Sequence, residues 1–120
     1  MKRYEILEAI CQNSEKLPWE SIGDSGRRYR AATDVGQIKI YRYQFETEHT
    51  DPEDHIVMYI KNGIDQDIFE FDSVKENFDH KKSLWKVWEN ARRKALGADE
   101  FAANFLESLK KLTKQSRLSS

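Results

Sequence analysis

The segment His49–His55 holds the densest group of side chains that could bind a metal ion. Two imidazoles and three carboxylates fall within seven residues: His49, Asp51, Glu53, Asp54 and His55. Imidazole nitrogens and carboxylate oxygens are ligands for zinc and other divalent ions. Their spacing matches no metal-binding motif, and a solvated acidic loop explains the same residues. We therefore expect no resident metal or cofactor, and a metal assay would test this.

A second group combines basic and aromatic side chains between residues 27 and 43. Four arginines are predicted to contact an anion or nucleic acid: Arg27, Arg28, Arg30 and Arg42. Tyrosines are interleaved with them: Tyr29, Tyr41 and Tyr43. Proteins that bind single-stranded nucleic acid use basic groups for phosphates and aromatic rings for base stacking. Carboxylates on a later strand, among them Asp67 and Glu70, instead predict a charge-polarised sheet suited to a protein partner or to self-pairing.

The remaining reactive residues favour structural roles. Gly23-Asp24-Ser25-Gly26 has the letters found around a serine-protease nucleophile, but 120 residues cannot build the two barrels of such a protease. We interpret this segment as a turn. Cys11 lies on the apolar side of a predicted helix, where a thiol acts as a small hydrophobic group. The sequence contains no HExxH, Walker-type loop or paired CxxC motif, so no motif supports enzymatic activity. An enzyme with the His49–His55 loop at its centre is the third functional hypothesis, after protein interaction and nucleic-acid binding.

The composition indicates one folded chain with a balanced charge. The 120 residues include 20 basic and 21 acidic side chains, and the net charge is −1. This balance creates no overall attraction to nucleic acid or to an anionic membrane. A single cysteine excludes an intramolecular disulfide and suits a reducing compartment. Because no secretory signal and no membrane-spanning apolar run are visible, we expect a soluble cytoplasmic protein.

The first two thirds of the chain predict a helix followed by strands. Ile6, Leu7, Ile10 and Cys11 share one side of a helix over 3–14. Alternating apolar residues predict strands over 27–33, 37–45, 55–61 and 64–72. An acidic loop is predicted over 46–54, and Asn62-Gly63 predicts a two-residue hairpin turn. Short connections favour antiparallel neighbours.

The last third predicts two helices. Leu84, Trp88, Ala91 and Ala95 recur at helical spacing, and the tryptophans make this helix the largest apolar contribution. Ser73 and Glu76 fit a capping box before it, and Gly97 fits its end. After Asp99, a predicted cap, a second apolar stripe follows: Phe101, Ala102, Phe105, Leu109 and Leu112. We expect one α+β domain over 1–113 and a frayed tail over 114–120.

These elements predict a four-stranded antiparallel β-meander with an N-terminal helix and two C-terminal helices packed on the sheet. This layout is similar to that of many small bacterial proteins. An isoleucine-rich face should support the helices: Ile38, Ile40, Ile56, Met58 and Ile60. The other face is predicted to be an aromatic interaction surface: Tyr41, Tyr43, Tyr59, Phe69 and Phe71. The expected function is protein–protein interaction or regulation, and self-association through the sheet as a homodimer is one form of it; the alternative is nucleic-acid binding.

Overall fold

The computed structural model describes residues 2–47 and 50–118. Its elements are, in chain order, α1 Lys2–Asn13, β1 Glu20–Ser21, β2 Arg28–Ala32, β3 Gly36–Thr47, β4 Thr50–Asn62, β5 Asp67–Asp72, α2 Phe78–Ala95 and α3 Ala98–Leu118. The predicted α+β class is confirmed, with five strands in place of four. The additional strand is β1, which pairs Glu20 with Arg30 and is too short to show alternation in the sequence.

The strands form a meander in the order β1-β2-β3-β4-β5, and all neighbours are antiparallel. The predicted loop over 46–54 is wrong, because β3 continues to Thr47 and β4 begins at Thr50. The loop was predicted because residues 46–54 are mainly acidic. Strands pair through their backbone groups, however, and this pairing does not require apolar side chains. β5 pairs with β4 only between Val57 and Lys61. The part of the β3–β4 hairpin that lies beyond Val57 is therefore a two-stranded ribbon.

The connection between β4 and β5 spans residues 63–66 and is longer than the predicted two-residue turn. The Asn62 Oδ1 atom accepts hydrogen bonds from the backbone N–H groups of Ile64 (3.1 Å) and Gln66 (3.0 Å). Asp65 adopts the left-handed conformation with φ 63°. The Asn62 side chain therefore stabilises a wider turn, as asparagine does when it bonds to backbone a few residues ahead.

The core lies between one face of the sheet and the helices α1 and α2. The predicted isoleucine-rich face is the covered one: Ile38, Ile40, Ile56 and Met58 are buried and Ile60 is half-buried. Helix α2 covers it with Leu84, Val87, Trp88 and Ala91. Trp88 is only 1% exposed, and its ring centroid lies 5.0 Å from that of Tyr29. The sequence therefore identified the main packing of the domain correctly.

Helix α2 begins later than the predicted capping box. Its N-cap is Asn77, whose Oδ1 accepts a hydrogen bond from the His80 N–H at 3.0 Å. Ser73 is buried and accepts from the Ile56 N–H at 2.9 Å. Glu76 accepts from Arg3 and Tyr4 of α1. Both residues of the predicted capping box thus make tertiary contacts, and Asn77, the residue after Glu76, caps the helix.

Helix α3 projects from the body of the molecule. Gly97 has φ +62° and ends α2 in the predicted way, and α3 then begins at Ala98, which places Asp99 in its first turn. Residues 99–114 are all exposed, including the apolar stripe from Phe101 to Leu112. The helix continues to Leu118, into the segment 114–120. The radius of gyration is 18.7 Å, against about 14 Å for a compact chain of this length.

In the described ranges, no helix has the length and apolar character required to cross a membrane.

Candidate interaction face

The two faces of the sheet divide the predicted aromatic set. Tyr41, Tyr43 and Tyr59 lie on the face opposite the helices, which we call the open face. Phe71 pairs with Met58, and Phe69 pairs with Ile60. Residues directly opposite each other in a pair of strands share a face, so both phenylalanines lie on the covered face.

Placing Phe69 and Phe71 on the interaction surface was therefore wrong. Phe71 is fully buried beneath α1, with the Arg3 guanidinium 4.2 Å from its ring centroid. Phe69 is half-buried against the core. The prediction grouped these residues with the tyrosines because all of them are aromatic. The face that each residue occupies is determined by the strand register instead.

The tyrosines form one cluster at the centre of the open face. The Tyr41 ring centroid lies 5.9 Å from that of Tyr43 and 5.7 Å from that of Tyr59. Val57, only 7% exposed, lies opposite Tyr41 on the neighbouring strand. Tyr43 is 43% exposed. The cluster is therefore an apolar surface with a solvent-accessible upper layer, unlike the polar outer face usual for a one-sided antiparallel sheet.

Charges on the open face are segregated across the strands. One row of paired residues runs Arg28, Tyr41, Val57, Asp72, and the next runs Arg30, Lys39, Tyr59, Glu70. Both rows begin with basic residues on β2 and end with acidic residues on β5. The polarised sheet expected from the sequence is thus present in the register, with the tyrosine cluster between the two charged edges.

Each charged edge also contains ion pairs within the chain. On the basic edge, Arg30 Nε lies 2.6 Å from Glu20 Oε1. On the acidic edge, Lys61 Nζ lies 2.8 Å from Asp67 Oδ1, and this hydrogen bond raises the pKa of Lys61. These pairs reduce the net charge of both edges.

Burial favours the neutral form of two phenols in the tyrosine cluster, those of Tyr41 and Tyr59. It raises the pKa of Tyr41, and the neighbouring Tyr43 raises this pKa further. It also raises the pKa of Tyr59, where Glu70 adds to the effect. Both phenols are therefore neutral at physiological pH and are available as hydrogen-bond donors as well as apolar surface.

The four predicted arginines do not form a single cluster on the open face. Arg28 and Arg30 lie on it. Arg42 lies on the covered face, where its Nη2 donates to Asp54 Oδ2 at 2.6 Å and its guanidinium lies 5.4 Å from the Trp85 ring centroid. Hydrogen bonding from Arg42 lowers the pKa of Asp54.

Arg27 lies at the border between two cavities. An open groove of about 580 Å³ lies among Ser25, Arg27, Arg28, Tyr41, Arg42, Tyr43, Gln44 and Tyr59. A smaller cavity of about 260 Å³ on the helix side includes Arg27, Arg42, Arg92 and Trp88. Among the described residues the buried Trp88 Nε1 has no hydrogen-bond partner. Sequence reasoning missed Arg92 and Trp88 as neighbours of the arginines, since only tertiary packing of α2 brings them there.

The other candidate chemical groups lie apart from this face or outside the described residues. His49 lies outside the described residues, as do the side chains of Asp51 and Glu53, so the metal hypothesis for His49–His55 stays a prediction. His55 Nδ1 lies 3.7 Å from Asp72 Oδ1. In the described ranges no three His, Cys, Asp or Glu side chains are grouped as metal ligands. Burial raises the pKa of the Cys11 thiol, which keeps it protonated.

Comparison with known proteins adds no further assignment: no family model, no curated protein and no solved structure matches the chain.

Proposed function

We propose that this chain is a protein-interaction module whose open face binds another polypeptide. The observation that carries this proposal is the order of residues across the sheet: basic on β2, tyrosine at the centre, acidic on β5. Tyrosine is enriched among the few residues that carry most of the binding energy at protein interfaces, and complementary charges orient the partner. The partner would present an apolar centre with acidic groups towards β2 and basic groups towards β5.

A second copy of the chain has this complementary chemistry. If two open faces stack about a two-fold axis parallel to the strands, the basic edge of each copy lies over the acidic edge of the other. A homodimer through the sheet is therefore one form of the proposal. We place the module in the cytoplasm, in keeping with its single unpaired cysteine.

Site-specific photocrosslinking tests this proposal. A photoreactive amino acid is placed at Tyr43, on the open face, or at Val35, which is 82% exposed on the turn between β2 and β3. The full chain is then irradiated in extracts of cells that express it. We expect protein adducts from position 43 and none from position 35. Equal adducts from both positions, or none from position 43, would contradict the proposal.

Nucleic-acid binding is the second candidate, and the groove of about 580 Å³ favours it because Arg27, Arg28 and Tyr43 all line it. Phosphate contacts make binding strongly salt-dependent. The test is a titration of labelled single-stranded RNA and DNA at low and high salt. This candidate predicts that Arg28→Ala weakens binding and that Lys16→Ala does not, because Lys16 is an exposed cation that does not line the groove. Absence of binding at low salt would eliminate it.

A further inference from the structure

Helix α3 presents a continuous apolar ridge to solvent. Five side chains form it, each between 44% and 66% exposed: Phe101, Phe105, Leu106, Leu109 and Leu112. The Phe101 and Phe105 rings stack with centroids 5.7 Å apart. An isolated helix is marginally stable in water and gains most of its stability by packing such a face. Monomeric proteins seldom expose a contiguous apolar patch of this size, so the ridge needs a partner.

The charges of α3 indicate what that partner is. The half from residue 98 to 107 contains Asp99, Glu100 and Glu107 and no basic residue. The half from residue 108 to 118 contains Lys110, Lys111, Lys114 and Arg117 and no acidic residue. We propose that α3 pairs in antiparallel orientation with α3 of a second copy, about a two-fold axis near Ser108. Each acidic half then lies beside a basic half, whereas a parallel pair would place like charges together.

The positions along the helix support this register. Positions 99 and 117 are 18 residues apart in the sequence, which is about five helical turns, so the two backbone positions lie on the same side of the helix. In an antiparallel pair related by a two-fold axis, the same flanks of both helices meet. Helical position 99 of one copy therefore lies beside position 117 of the second copy, and the symmetry repeats this arrangement at the other end.

The area is sufficient for a specific dimer. The ridge side chains of two copies would together remove on the order of 1,000 Å² from water, close to the lower limit for a specific protein interface. The proposal does not depend on the open face, because α3 and the sheet are separate elements. Its success or failure can therefore be distinguished from that of the proposed function.

Solution mass tests whether α3 forms the dimer. Light scattering behind a sizing column should give about twice the 14.2 kDa chain mass for the unaltered protein. Leu109→Glu places a charge in the ridge and should weaken the dimer at least tenfold. Ala103→Glu is the matched control, because it adds the same charge on the opposite, solvated side and should leave the mass unchanged. Near-UV circular dichroism of the body tryptophans should be the same in all three proteins.

Two results would overturn the proposal: a monomer mass for the unaltered protein over the whole concentration range, or a dimer that persists in Leu109→Glu. If a dimer persists in Leu109→Glu and is lost in Tyr43→Ala, self-association occurs through the open face instead.

Cysteine crosslinking tests the orientation. Ser108→Cys lies near the two-fold axis and should form a disulfide between copies under mild oxidation. Ala102→Cys should not, because antiparallel pairing separates the two copies of residue 102 by about 18 Å along the axis. Equal crosslinking of both variants would indicate a parallel pair and contradict the proposed orientation. The unaltered chain, with Cys11 buried, is the control.

Discussion

Arg28 and Asp72 occupy opposite ends of one row of paired residues in the sheet, with Tyr41 and Val57 between them. Three strand spacings place their backbones about 14 Å apart. The open face therefore distinguishes between two orientations of a partner that packs on the tyrosines. In one orientation the partner's charges are opposite to those of both edges, and in the reverse orientation like charges repel.

Reversing the charge at the basic edge should therefore weaken partner binding without unfolding the protein. Arg28→Glu replaces an exposed cation by an anion, and we expect the yield of protein adducts from a photoreactive residue at position 43 to fall at least fivefold. Lys16→Glu makes the same change of charge away from the sheet and should preserve the yield. A yield unaffected by Arg28→Glu would show that edge charge does not guide the partner.

Tyr43 and Trp88 should differ sharply in their effect on stability. Trp88→Ala removes a side chain that is 1% exposed and should lower the free energy of unfolding by about 3–5 kcal/mol. Tyr43→Ala changes a residue that is 43% exposed and should alter it by about 0.5 kcal/mol or less. Urea unfolding followed by circular dichroism measures both. A large loss for Tyr43→Ala would mean that the tyrosine cluster serves stability instead of binding.

Glu76 should be the most sensitive acidic residue on the α1 side of the protein. Its side chain is 5% exposed and accepts from Arg3 Nη2 and from the Tyr4 hydroxyl, each at 2.9 Å. Glu76→Ala leaves both donors unpaired and should cost about 2 kcal/mol of unfolding free energy. Tyr4→Phe removes one of the two hydrogen bonds and should cost about half as much. Glu100→Ala on exposed α3 is the control, and an equal effect there would refute the assignment.

The Arg42–Asp54 pair should make stability depend on pH in the acid range. The folded state holds the Asp54 pKa below its ordinary value. The ionised carboxylate therefore stabilises the fold at pH values above that ordinary value, and this contribution is lost as pH falls through the lowered pKa. Between about pH 5 and about pH 2, Asp54→Asn should lose less stability than the unaltered protein. Parallel losses in acid urea titrations would exclude this contribution.

Local periodicity was enough to predict most of the fold. The α2 stripe containing Leu84 and Trp88, the isoleucine-rich face and the end of α2 at Gly97 all depend on neighbours within a few residues, which the sequence displays directly. The face occupied by Phe71 depends on its pairing with Met58, which is a long-range relationship. The exposure of Phe105 depends on the direction in which α3 leaves Gly97. The sequence could not predict this exposure, because an apolar stripe has the same helical periodicity whether or not it is packed.

The candidate site was predicted only in part for the same reason. Tyr41, Tyr43 and Tyr59 were grouped correctly, since alternation within single strands places them on one face. Arg42 was grouped with Arg28, although the two side chains lie on opposite faces and Arg42 is paired with Asp54. Chemical type identifies candidates for binding, but register and helix packing determine which of them meet.

The most direct test of the central claim, that the open face binds another protein, is the identity of what crosslinks to position 43. We expect a discrete adduct that is digested by protease, resists nuclease and is absent when the photoreactive residue is moved to position 35. An adduct at twice 14.2 kDa would identify a second copy as the partner. A nuclease-sensitive adduct, or no adduct above the level at position 35, would contradict the claim.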